Sequence, residues 1–293
     1  MHRLRSLVFT GAAAVILLAD DSDTRGITAE QFLKARPGVA APASSAPKYQ
    51  ALDAAAMKKL REGEPGAQIG ITIWRLRRSV ATDSGARILV QEENKTVDWT
   101  PERVSSTGKL NAGARVRLSI ESAARGYLYV IDRERYGGHD YGEPYLIFPT
   151  LRTRHGDNSV APGKLIDIPG QEDQPNFFAL HPTRADQTGE ELTVLVTPLP
   201  LDGLTIGRSA QVLSKGQLTD WEKRWGAAKT DLFELAAGAD KTWTKAEQQA
   251  AAGDTRLLTQ EDPPPQTLYR AAVKRGEPLM VKVELRYGPG PSR

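Results

Sequence analysis

The chain has 293 residues, 40% of them hydrophobic, enough to build a sizeable core. Its 39 basic and 36 acidic residues nearly balance, and two of the basic ones, Arg3 and Arg5, fall in a segment read below as a leader. Near balance argues against nucleic acid as a partner, since phosphate binding needs clustered cations, and the absence of cysteine excludes disulfides, thiolate metal sites and cysteine nucleophiles.

Residues 1–19 read as a secretory signal: Arg3 and Arg5 form the positive start, and an apolar run too short to span a bilayer follows. The mature protein is then expected to be exported, periplasmic or extracellular, with no membrane span. Residues 20–66 read as short helices and a Pro/Ala/Ser-rich tether. Thr28 and Gln31 suggest a helix start, PGVAAPASSAPK a flexible link, and residues 52–61 a helix stopped by Gly63 and Gly66.

From residue 67 to 201 the pattern is that of strands. Ile69, Ile71 and Ile73 alternate with small or polar residues, and residues 87–91 and 97–99 follow as shorter strands. The basic run Arg75, Arg77, Arg78 is expected on solvated strand edges. Val116, Leu118 and Ile120 alternate with Arg115, Arg117 and Ser119, which places the aliphatic set on one face. Tyr127 to Ile131 is nearly continuous and suits a central strand buried on both faces. Tyr145 to Phe148 ends at Pro149, which cannot donate to a ladder. Strands follow at residues 165–168, 176–180 and 192–198, with turns at 155–158 and 187–189. Many short strands without intervening helices predict a mainly β fold, an antiparallel sandwich or partly closed barrel with a few peripheral helices.

Residues 202–293 shift towards helix and then return to strand. Thr219-x-x-Glu222 and Thr244-x-x-Glu247 have the spacing of capping boxes, and Trp221 and Trp225 lie one turn apart as core anchors for their helix. After three consecutive prolines, Leu279, Val281, Val283, Leu285 and Tyr287 alternate with polar residues, a half-buried strand expected to rejoin the sheet.

The run GARVRLSIES, GYLYVIDRE, YLIFPT, then Asn158, Val160 and Gly163, LIDIP, FFAL and EELTVLVTPLPL resembles the bacterial domain of unknown function 4384 over residues 110–201. That resemblance implies a compact β domain of envelope or multidomain proteins. It implies no activity and supplies no catalytic residue.

No chemistry-bearing motif stands out, so no catalytic residue, metal site or cofactor is expected. His139 and His155 sit in turn-rich loops without zinc or calcium spacing. Gly207-Arg208-Ser209 lacks the second glycine of a nucleophile elbow, and Glu190-Glu191 is expected to put one side chain on each face of a strand. The candidate binding residues are Tyr136, His139, Asp140, Tyr141 and Tyr145, in and around a Gly-rich excursion between two firm strands. The alternative reading of that excursion is a loop packed on itself over a sheet edge. The expected function is a non-enzymatic envelope module that binds another protein or an envelope polymer, with a hydrolase of dispersed residues as the alternative.

Overall fold

The computed structural model describes residues 21–38, 67–92, 95–235, 241–252, 256–274 and 276–288. The leader, most of the tether and the helix expected at 52–61 lie outside them. In chain order the strands are β1 (Ala67–Arg78), β2 (Ile88–Glu92), β3 (Lys95–Arg103), β4 (Lys109–Leu110), β5 (Arg115–Ser122), β6 (Gly126–Tyr136), β7 (Tyr145–Phe148), β8 (Ser159–Val160), β9 (Leu165–Ile168), β10 (Phe178–Ala179), β11 (Gln187–Thr197), β12 (Gln211–Val212), β13 (Thr230–Glu234), β14 (Thr267–Ala271) and β15 (Leu279–Tyr287). Among the described residues three α-helices accompany them: α1 (Asp21–Ala35), α2 (Lys215–Trp225) and α3 (Lys245–Ala251).

The fold is mainly β, a sandwich of two sheets and not a closed barrel. One sheet runs β10-β5-β1-β14-β13, with β9 beside β5 and β3, itself paired with β2, beside β1. The other runs β12-β7-β6-β11-β15-β4, with β8 beside β6; β4 joins β15 in parallel, and the remaining pairings are antiparallel. The core lies between the sheets. Ile69, Ile71, Val116, Leu118 and Ile120 from the first meet Leu128, Val130, Val194, Val281 and Val283 from the second. Each such side chain, fully buried, stabilises the fold by roughly 1.5–3 kcal/mol.

The segment between β5 and β6 does not close a hairpin. It carries the chain from one sheet to the other, and Gly126 is needed there because a Cβ would meet the Thr197 carbonyl oxygen at 2.5 Å. The predicted strand at 127–131 is central in its sheet, with Leu128, Val130 and Ile131 at 0% exposure, as its unbroken apolar run requires. The predicted turn at 187–189 is instead the start of β11, where the register shifts against β6. Gly189 fits that irregularity because a Cβ would come within 2.1 Å of the Leu285 carbonyl oxygen.

The polar face of β5 is buried as well. Arg117 donates to Asp167 (3.0 Å) and to the Asn176 carbonyl (2.6 Å), and Ser119 donates to Asp167 (2.5 Å) while accepting from the Trp74 indole (2.8 Å). Arg103 reaches Glu247 at the first turn of α3 (2.7 Å). Arg36, just after α1, grips Glu121 through two bonds of 2.8 Å. The pairs of Arg103 and Arg36 fix α3 and the end of α1 to the outer side of the first sheet, while Arg117 and Asp167 link the neighbouring strands β5 and β9, so the charges are neutralised out of water.

Two helix starts differ from the sequence reading. α1 already runs from Asp21, so Thr28 and Gln31 are interior to it. α2 begins at Lys215, capped by Ser214, whose hydroxyl accepts from the Gln217 N–H at 3.1 Å; Thr219 and Glu222 lie within the helix. The box at Thr244 and Glu247 is present as expected. Trp221 and Trp225 stack at 6.1 Å, and Trp221 is buried against the second sheet. The basic run Arg75–Arg77–Arg78 lies on β1, an interior strand, and is neutralised by Glu102, Asp83 and Glu92. Interior pairing leaves these arginines with protein partners in place of the solvated edge.

Candidate functional site

The Gly-rich excursion folds back on the strand it leaves. After β6 the chain makes a turn at Gly137–His139, with Gly138 at φ 75°, and Tyr141 then bridges back to Arg135. Tyr136 N–H donates to the Asp140 carbonyl and Gly142 N–H to the Glu134 carbonyl, both at 2.9 Å. The side chains are equally engaged. Tyr136, at 7% exposure, donates its hydroxyl to Glu134, and the Arg184 guanidinium lies 3.8 Å over its ring. Tyr141 donates to Glu191 at 3.2 Å beneath Arg133, which lies 4.1 Å from its ring. Asp140 is exposed and accepts from the Tyr141 N–H at 2.9 Å. His139 is the last residue of that turn. Tyr145 stands apart at the start of β7, 41% exposed, opposite Val212 of β12, 60% exposed. Of the five candidates, Tyr136, Asp140 and Tyr141 share one self-packed loop, and Tyr145 alone turns a large aromatic surface outwards.

Beneath this loop the core-facing side of the second sheet ends in carboxyl groups. Alternation along β6 places Asp132 and Glu134 on the face of Leu128 and Val130, and the register sets Glu190 of β11 opposite Glu134. Glu190 accepts from the Tyr287 hydroxyl and from Gln187 (2.9 Å), but among the described residues its second carboxyl oxygen has no partner, and neither has Oδ1 of Asp132. Burial pushes Glu190 up to about 7 and Asp132 well above the usual carboxylate range, with the neighbouring acids adding to both. Such a group can hold or release a proton near neutrality. The sequence reading singled out Glu190 but missed Asp132 and Glu134; the signal was their place in step with Leu128 and Val130. Among the described residues no cluster of three or more His, Cys, Asp or Glu is arranged to hold a metal ion.

The sheet edges differ in how they are closed. β4, β10 and β12 have two residues each, too short to template a partner. β9, paired with β5 alone, is buried throughout, and β15, which β4 covers only at Arg286 and Tyr287, keeps Leu279, Met280, Val281, Val283 and Leu285 buried along its other edge. β2 has five, but Asn176 donates to its Leu89 carbonyl (2.9 Å) and Gln248 to the adjoining Arg87 carbonyl (3.0 Å). β13, also of five residues, pairs with β14 on one side and ends its sheet, with Leu232 48% exposed. Clefts also open elsewhere among the described residues. One, of about 710 Å³, lies between β2 and residues 171–177; another, of about 280 Å³, lies beside Trp99 and Lys109.

No family model matches the chain, and neither a curated protein nor a solved structure matches it. No helix among the described residues is long and apolar enough to cross a membrane.

Proposed function

We propose that the chain is an exported, non-enzymatic β module of a bacterial envelope, and that it binds a partner protein by adding an extended segment of that partner to β13. The carrying observation is the contrast between edges. Among the described residues the two-residue edges and the amide-capped β2 are poor templates, and the one-sided stretches of β9 and β15 carry mostly buried side chains, whereas β13 presents a five-residue backbone ladder bonded on one side with Leu232 exposed beside it. The signal-like start, the tether and the likeness of residues 110–201 to the domain of unknown function 4384 support the envelope setting. The tyrosines of the excursion are spent on internal contacts and serve the sheet more than a ligand.

A photo-reactive residue at position 232, introduced in native cells, tests this reading, with positions 89 and 212 as controls. The expected result is one adduct specific to 232, whose cross-linked segment, made as a peptide, binds the purified protein. Equal labelling from all three positions, or a peptide that does not bind, contradicts it.

A second reading, an envelope hydrolase, is favoured by Glu190, whose carboxyl has the proton affinity of a general acid. Neither of the two clefts is lined by it. Hydrolysis of ester or glycan substrates that is lost in Glu190→Gln while the fold persists would favour that reading over the first.

A further inference from the structure

The smaller cleft has a chemistry of its own. It lies where β1, β3, β4 and the turn entering β5 meet, and its charged lining is all cationic: Arg75, Lys109 and Arg115. We propose that it binds an oxyanion, a phosphate or carboxylate group of a ligand.

Arg115 is the fixed element. Its guanidinium is held between two aromatic rings, 4.3 Å from the centre of Trp99 and 4.6 Å from that of Phe177. One nitrogen, Nη1, donates to Glu92. Among the described residues Nε and Nη2 have no protein acceptor, so most of the donor fork is oriented and unspent. Charge is in surplus as well. Arg78 and Arg115 share the single Glu92, whose carboxyl is held below its usual range chiefly by the bond from Arg115. Lys109 is exposed and makes no ion pair among the described residues.

The turn at residues 111–114 completes the wall. Its i to i+3 bond, from Ala114 N–H to the Asn111 carbonyl (3.0 Å), holds it closed, and Gly113 at φ 81° leaves its outer side open. A guanidinium set against two rings, an exposed ammonium and a cleft lining without carboxylates suit a compact anion. The volume of about 280 Å³ is that of a small group or the end of a larger one.

The test is titration of the full chain with inorganic phosphate, and separately with acetate, at constant ionic strength set with chloride. The readout is tryptophan fluorescence, with Trp99→Phe to assign the signal. The expected result is a saturable change, absent in Trp99→Phe, with affinity reduced about tenfold or more in Lys109→Glu. Lys109 is exposed and makes no ion pair among the described residues, so the substitution breaks none of the fold's described ion pairs; circular dichroism checks that the variant is folded. Saturation by phosphate alone narrows the ligand to phosphate groups, and saturation by both anions supports the wider class. A change no larger than that caused by chloride, or one retained undiminished in Lys109→Glu, overturns the proposal.

Discussion

Glu190 and Glu191 are adjacent in the chain and sit in opposite environments. Strand alternation turns Glu190 towards the core and Glu191 to the outer face, where Arg133 and Lys282 outweigh burial and hold it below its usual range. Glu190 meets Tyr287 and other acids, and burial carries it from 4.5 to about 7. A carboxyl raised on folding binds its proton more tightly in the folded state. Its contribution is full below about pH 4.5 and is lost as the pH climbs through about 7. Glu190→Gln should therefore flatten the stability profile between pH 5 and pH 8 and be the more stable protein at pH 8, by up to about 3 kcal/mol. Urea unfolding at the two pH values measures this; a variant that loses stability equally at both would show that Glu190 is ionised in the native state. The opposed facing of the two glutamates was legible, because period two follows from sequence alone. Their opposite proton affinities were not, because Tyr287, Asp132 and Arg133 arrive from other strands.

At the scale of elements, ion pairs bind the covering segments to the first sheet, and Arg36 shows this most completely. All five of its N–H donors are used: three bonds go to the carbonyls of Thr259, Asp262 and Pro263, and two to Glu121. Both side chains are 1% exposed. Arg36→Ala leaves the Glu121 carboxyl buried without its counter-ion and should cost about 3–5 kcal/mol in urea unfolding. The double variant Arg36→Met, Glu121→Leu, which removes both charges, should recover most of that loss. A double variant no better than the single would mean that the arginine acts through packing alone. Long periodic elements such as β15 were legible, as was the capping box at Thr244. The start of α2 was misplaced by about one turn because Ser214 and Gln217 carry the same box spacing as Thr219 and Glu222, and only burial of Leu218 and Trp221 decides between them.

Over the whole molecule, the class of fold followed from many short strands, but the division into sheets did not. β5 and β6 are consecutive and share no pairing; β5 pairs with the distant β1 and β9, β6 with the distant β11 as well as the next strand β7, and no local pattern records the distant choices. The same long-range pairing decides which strands end the sheets, and so which surface could recruit a partner. Among the described residues β14 is bonded on both sides, by β1 and β13, whereas β13 is bonded on one. Amide hydrogen exchange in the free full-length protein reads this difference directly. The β13 amides not bonded to β14 should exchange freely while those of β14 stay protected. Uniform protection across both strands would show that the edge is covered and would contradict strand addition at β13.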